Sequence, residues 1–343
     1  MEKVLVTGAT GYIGLHCIKQ LLDQGYYVNG SIRSPERKNE VFDSLKKHNT
    51  STENLDLFIF DLTSDAGWDE AMEGCDFLLH VASPLALQNH TEEYFVKPAV
   101  EGCLRAMKFA KKHAVKKVVL TSSVAAIFET NEEKTFYDET DWSNPDSPTI
   151  ANYAKSKTLA EKAAWDFIEH EGNPFQLAVI NPALVIGPTL SDDLGVSNAA
   201  IEMVVTGKMP VAIPIQFGYV DVRDVASAHI LAMQNDSSNG ERFALAERDL
   251  WYKDIAKLLR DNGYNKAPTF SVPIWLAKLL ANFSNQLKIT LPFIGRVRSV
   301  AKTSKAKDLL GWNPRSSEES ILCLLYTSPS PRDRIASRMP SSA

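Results

Sequence analysis

The residues most suggestive of chemistry in this chain lie in the stretch "NYAKSK", where Tyr153 precedes Lys157 by four positions. In a helix that spacing puts a phenol and an ammonium on one face. No other tyrosine in the chain has lysine four positions on. A free phenol has a pKa near 10, too high for easy proton exchange at neutral pH, and a neighbouring ammonium stabilises its anion. Upstream, "TSS" at 121–123 closes an apolar run and supplies hydroxyl groups. A hydroxyl to hold a carbonyl oxygen, a phenol to protonate it and an ammonium to tune the phenol are what hydride reduction of a carbonyl requires.

The hydride donor needs a site of its own. "VLVTGATGYIG" places Gly8, Gly11 and Gly14 directly after an apolar run at the start of the chain. Gly8 permits a tight turn, Gly11 lets the backbone approach a pyrophosphate, and Gly14 lets helix and strand pack closely. Tyr12 and Ile13, between the last two glycines, open the helix whose free N–H groups face the phosphates. The second strand-like run decides which dinucleotide binds. It ends "NGSIRSPER", with no acid before Glu36 to take the ribose hydroxyls. Ser31, Arg33, Ser34 and Arg37 stand there instead, and guanidinium groups bind phosphate in bidentate fashion. NADP(H) is therefore expected over NAD(H). Asp61 and Leu62, closing the third run, are expected beside the adenine ring.

These residues need a frame to bring them together. Runs at 3–8, 26–32, 55–62, 76–83, 116–123 and 175–182 are apolar almost throughout, as strands covered on both faces are. Helix-type stretches, such as 92–113 and 151–170, separate them. Regular alternation of this kind predicts an α/β doubly wound parallel sheet, with ligands at its carboxyl edge. After about residue 185 prolines punctuate the chain, 217–233 reads as a strand edge running into a helix, and short helices are expected near 251–261 and 273–283. The expected domains are 1–185 for the dinucleotide, with 213–235 returning to it, and a smaller C-terminal substrate lobe over 186–322.

Composition narrows the class. The chain has 343 residues, 44% hydrophobic and 23% charged, which is ordinary for a globular protein of one large or two joined domains. A formal charge of −5 lacks the basic footprint of nucleic-acid binding. No apolar run is long enough to span a membrane, and the start of the chain lacks signal-peptide features, so a cytoplasmic protein is expected. Four cysteines without paired spacing argue against a disulfide framework or a metal site. Cys17, Cys75 and Cys103 read as buried small side chains, and His80 and His229 as structural histidines. The run "KFAKKHAVKK" at 108–117 reads as a solvated helix end, and Trp142 either covers the substrate or packs. The last 21 residues, 323–343, resemble translated sequencing-adaptor DNA and are expected to be non-native.

Taken together, "TGATGYIG", "GSIRS", "HVASP" (80–84), "VVLTSS", "YAKSK", "INPALVIGP" (180–188) and "YVDVRDVASAHI" (219–230) resemble the extended branch of the short-chain dehydrogenase/reductases. The narrower resemblance is to the dihydroflavonol reductase, cinnamoyl-CoA reductase and methylglyoxal reductase-like group. It implies a Rossmann domain with a catalytic set of Ser123, Tyr153 and Lys157, Ser123 being taken over Ser122 because the family uses the serine that closes the motif. By the same resemblance Ala82 touches the middle of the cofactor, Pro182 and Val185 border the nicotinamide, and Tyr153 and Lys157 also reach its ribose. Sugar-nucleotide dehydratases of this branch carry an Asp-Glu pair after the fifth strand, whereas Val124 and Ala125 follow Ser123 here. The expected activity is NADPH-dependent reduction of an aldehyde or ketone. A steroid-type or nucleotide-sugar dehydrogenase or epimerase, or a non-catalytic NADP-sensing regulator, are the alternatives. A small-molecule carbonyl is the expected partner, with no nucleic acid, metal or membrane, and the chain is expected as a monomer or the family's homodimer. Segments 84–98, 124–150 and 189–218 are expected to set specificity.

Overall fold

The computed structural model describes residues 2–84, 91–130, 134–193, 195–283 and 290–327. The described elements run β1 Lys3–Val6, α1 Tyr12–Asp23, β2 Tyr27–Ile32, α2 Lys38–Lys47, β3 Leu55–Ile59, α3 Trp68–Met72, β4 Phe77–His80, α4 Glu92–Lys112, β5 Lys117–Thr121, α5 Asn152–His170 and β6 Gln176–Pro182. They continue with β7 Leu184–Ile186, α6 Gly195–Val205, β8 Gln216–Asp221, α7 Val222–Gln234, β9 Glu241–Leu245, β10 Arg248–Trp251, α8 Tyr252–Asp261, α9 Ile274–Phe283, α10 Lys305–Leu310 and α11 Ser317–Thr327.

Seven strands form one parallel sheet in the order β3-β2-β1-β4-β5-β6-β9. The apolar runs are continuous because each strand serves two cores. Val4 and Val6 of β1 pack on one face with Val119, Ala178 and Ile180, against α1 and α7. Leu5 packs on the other with Leu78, Val118, Leu120, Leu177 and Val179, against α4 and α5. The strand order reverses between β1 and β4, the switch point where an open α/β sheet leaves a crevice at its carboxyl edge.

Helices α4 and α5 meet through small residues, Ala99, Cys103, Ala106 and Ala110 facing Ala160 and Ala164. Short side chains let the two axes approach closely and hold α5 at a fixed height over β5. The second lobe has a three-stranded sheet, β10-β8-β7, and its own core with Tyr219, Tyr252, Ile255 and Leu259.

Several features depart from the sequence reading. The chain returns to the main sheet once more than expected, as β9. In the 213–235 segment, α7 packs on α1 while β8 belongs to the lobe's own sheet. Lys117, read as part of a solvated helix end, is only 4% exposed at the start of β5, where its ammonium donates to the carbonyls of Ala232 and Asn235. Residue 322 is not a structural break either, since α11 runs on to Thr327 and Leu324 is buried in the lobe core. Residues 328–343 of the expected tail, and 85–90, 131–133 and 194 of the expected specificity segments, lie outside the described residues. Among the described residues no helix is long and apolar enough to cross a membrane.

Candidate active site

The glycine turn comes first. Gly8 adopts φ +77°, a left-handed conformation that favours glycine. Its N–H donates to Ser31 Oγ at 2.8 Å, and Gly11 N–H donates back to the Gly8 carbonyl at 2.9 Å. A Cβ on Gly14 would stand 2.2 Å from that same carbonyl oxygen, so only glycine fits there. No side chain caps the first turn of α1, which leaves the N–H groups at Tyr12 and Ile13 facing the crevice with the positive end of the helix dipole. Thr7 Oγ1 accepts from Ala82 N–H at 3.0 Å and bonds His80 Nδ1 at 3.1 Å, locking the end of β4 against the turn. The turn is thus a backbone cradle of the kind that fits a dinucleotide pyrophosphate.

The groups around the second strand separate into free and engaged. Arg33 is exposed, and among the described residues no hydrogen bond or ion pair holds it. Arg37 instead forks onto Glu40, with two contacts of 2.8 Å. Ser31 is buried and spent on Gly8. The Asp61 carboxylate turns to its own loop, accepting from Thr63 N–H and hydroxyl at 2.9 and 2.6 Å, and those bonds hold it below the usual range. The Leu62 carbonyl takes the Arg105 guanidinium. Tyr12 donates its hydroxyl to the Gly187 carbonyl at 2.9 Å, tying α1 to the loop after β7, close to Val185. Pro182 is buried at the end of β6.

Ser123, Tyr153 and Lys157 converge at the carboxyl end of β5. Ser123 is extended, φ −165°, and its Oγ accepts from Ala125 N–H at 3.1 Å in the short turn that follows. Tyr153 sits in the first turn of α5, its ring edge-on to Phe95 with centroids 6.3 Å apart. Burial pushes its phenol above the ordinary value, and a side-chain hydrogen bond with Ser123 pulls it back. The Lys157 ammonium lies 5.9 Å from the centre of the Tyr153 ring and donates to the Thr121 carbonyl at 3.3 Å. Burial brings its pKa down to about 8, against the pull of the Glu161 carboxylate. The sequence reading gave Lys157 the task of lowering the tyrosine. In the structure the Ser123 hydroxyl bonds the phenol and the Lys157 ammonium lies under its ring.

Histidines stay structural. His80 is buried, with its pKa pressed down to about 3, and His229 bonds Thr121 Oγ1 at 2.6 Å and the Val225 carbonyl at 2.8 Å. The Arg242 guanidinium carbon lies over the Trp142 ring, 3.7 Å from its centre. Sequence reasoning missed Thr7, Asn181, Glu161 and Arg242. The usable signals were Glu161, a carboxylate on the lysine's face of an Ala-rich helix, and Arg242, a charge inside the apolar run "RFAL".

A doubly wound sheet, a glycine turn opening its first helix, and a serine, tyrosine and lysine at the carboxyl edge define the class of nucleotide-dependent proteins of the extended short-chain dehydrogenase/reductase type. The chain belongs to the NAD dependent epimerase/dehydratase family, whose model matches residues 4–246. It is 38% identical over 265 residues to cinnamoyl-CoA reductase CAD2 of Medicago truncatula, covering 75% of this chain and 80% of that one. It is 35% identical over 280 residues to dihydroflavonol 4-reductase of Arabidopsis thaliana, covering 79% and 71%. Among solved structures, the yeast methylglyoxal/isovaleraldehyde reductase Gre2 complexed with NADPH superposes with a TM-score of 0.79 at 25% identity, over 98% of this chain and all of that one.

Proposed function

We propose that the protein reduces an aldehyde or ketone to the alcohol with NADPH. One observation carries this reading: Ser123 and Lys157 flank a single phenol, one through its hydroxyl and the other beneath its ring, at the sheet edge that also carries the glycine turn. When bound, the nicotinamide supplies the hydride that goes to the carbonyl carbon. Ser123 Oγ holds the carbonyl oxygen as negative charge builds on it, and Tyr153 Oη gives that oxygen its proton. The Lys157 ammonium, close under the ring, stabilises the phenolate left behind. Gly8, Gly11, Gly14 and the N–H groups of Tyr12 and Ile13 take the pyrophosphate, and Ala82, Pro182 and Val185 border the remainder. Arg33, free and exposed, takes the 2′-phosphate. Arg37 joins it only by leaving Glu40, and Asp61 and Leu62 offer the adenine ring an edge of the third strand. The names of the reductase relatives and the NADPH in the yeast neighbour point the same way.

The test is consumption of NADPH, followed at 340 nm, across a panel of aldehydes and ketones with NADH in parallel. Turnover with NADPH is expected, and Tyr153→Phe is expected to lower it by about a thousandfold while cofactor binding persists. Protein that binds NADPH but never oxidises it, or a Tyr153→Phe variant of undiminished rate, refutes the reading.

A further inference from the structure

Behind the reacting groups lies an ion pair that the mechanism above leaves unused. Glu161, one turn beyond Lys157 on α5, is completely buried. Its Oε1 accepts from Arg242 Nε at 2.5 Å and its Oε2 from Asn181 Nδ2 at 2.8 Å. The same Asn181 amide donates to the backbone carbonyl of Ser123 at 3.2 Å. Arg242, on β9, also sends Nη1 to the carbonyls of Glu139 and Asp141 at 2.7 and 2.8 Å, under the Trp142 ring. Glu139 returns to β9, its carboxylate accepting from Ala244 N–H at 3.0 Å. One buried pair therefore joins the tyrosine–lysine helix, the serine end of β5, β6, β9 and the 139–142 segment.

We propose that Glu161 and Arg242 are positioning residues of this site, Glu161 holding Ser123 in place through Asn181 and setting a negative charge toward the Lys157 ammonium, and Arg242 fastening the 139–142 segment to the same carboxylate. The proposal rests on the reductase reading of Ser123, Tyr153 and Lys157. Two buried charges cost much of their attraction in lost hydration, and apolar residues of similar volume often replace such a pair without loss of stability. Stability alone is thus a weak reason for this pair, and its contacts supply a geometric one.

The surroundings of Lys157 isolate the effect of Glu161. His80 faces it from β4 and burial keeps that ring neutral. Cys103 faces it from α4, and its thiol is pushed up to about 12 by burial, so it is uncharged where Lys157 titrates. From β5 comes the Thr121 carbonyl, and from α5 itself Tyr153, whose phenol is also raised. Of these titratable neighbours Glu161, paired with Arg242 of β9, is the anion.

The experiment pairs two variants. Glu161→Gln keeps the size and removes the charge. Activity of the wild type should fall as pH rises through the lysine's value, because the ammonium is lost. Without its facing anion the ammonium is harder to keep, so the alkaline limb should move down by about one pH unit, with kcat falling and KM little changed. Arg242→Lys keeps a cation beside Glu161 but gives up the fork to 139 and 141. It should raise KM for the carbonyl substrate severalfold and leave the limb in place. An unmoved limb in Glu161→Gln, or variants whose kcat and KM simply follow their melting temperatures, overturns the proposal. Should Glu161→Gln not fold, Glu161→Asp retains the charge and should lower kcat without shifting the limb, and a shift there counts against it. A second readout needs no turnover: the wild-type melting temperature should rise as pH passes about 8 and the buried lysine sheds its proton, and in Glu161→Gln that rise should begin lower. A wild type without reductase activity defeats the function proposed above, while the melting curves still decide the placement of charge.

Discussion

A buried lysine stands at each end of strand β5, Lys117 within the strand and Lys157 reaching its carboxyl end from α5, and the two are held differently. At its start, Lys117 is 4% exposed and its ammonium donates to Ala232 O at 3.3 Å, Asn235 O at 2.8 Å and Ser238 Oγ at 3.3 Å, with the Asp236 carboxylate 3.8 Å away. Three donors meet three acceptors. At the other end, Lys157 is 6% exposed and donates to the Thr121 carbonyl at 3.3 Å, while it lines a narrow cavity with His80, Ser122, Cys103 and Glu161. Burial lowers the pKa of both. The first lysine is a saturated clamp between β5 and the end of α7. The second is an ammonium kept dry beside a phenol, with hydrogen-bonding capacity facing the crevice. Equal burial and equal residue type thus support two purposes, and the number of fixed acceptors separates them.

The comparison can be broken most directly at Lys157. Lys157→Met should reduce NADPH-dependent turnover by about a thousandfold or more, because the phenolate loses its counter-charge, yet it should not lower the melting temperature, since a buried charge is removed. A variant that loses both equally would make Lys157 a second clamp. The pH dependence of stability sharpens the contrast. The folded protein releases the Lys157 proton near pH 8, whereas the unfolded chain holds it to about 10.5. Below pH 8 both states are charged and the burial penalty is constant. Between those values the unfolded state binds more protons, so stability should rise with pH, by on the order of 3 kcal/mol from this group. Thermal melts of wild type and Lys157→Met across pH 7–11 should diverge over that window, and parallel curves would contradict it. The smallest effect is expected at the clamp. Lys117→Met should lower stability by about 1–3 kcal/mol through the acceptors left without their donor, measured by urea melts, with kcat unchanged.

The frame was legible because its signals are local. The centre of the run 116–123 is the apolar triplet Val118, Val119 and Leu120 because Val118 and Leu120 face one core and Val119 the other. The helix at 151–170 was visible from good helix formers and from the buried spacing that the structure places at Lys157, Ala160, Glu161, Ala164 and Ile168. The tyrosine and lysine share a face by helix geometry alone, and the glycines by turn geometry. Arg33 and Arg37 looked alike in the sequence, yet Glu40, one turn along, takes Arg37 and leaves Arg33 open. The second lobe read poorly. Its short strands at 184–186 and 248–251 have little periodic signal, and their partner β8 comes from 216–221.

From the chain alone came the β-α alternation, the phosphate turn and the phenol–ammonium pair, since periods of two and 3.6 residues and the needs of a tight turn act over a few neighbours. The tertiary structure decided which distant groups meet: Glu161 with Arg242, 81 residues on, Lys117 with Asn235, and Ser123 with Tyr153. Those meetings depend on strand order and on how closely α4 lets α5 approach, and no local pattern encodes either. Two lysines of one composition and one burial became different groups because their acceptors arrived from other parts of the chain.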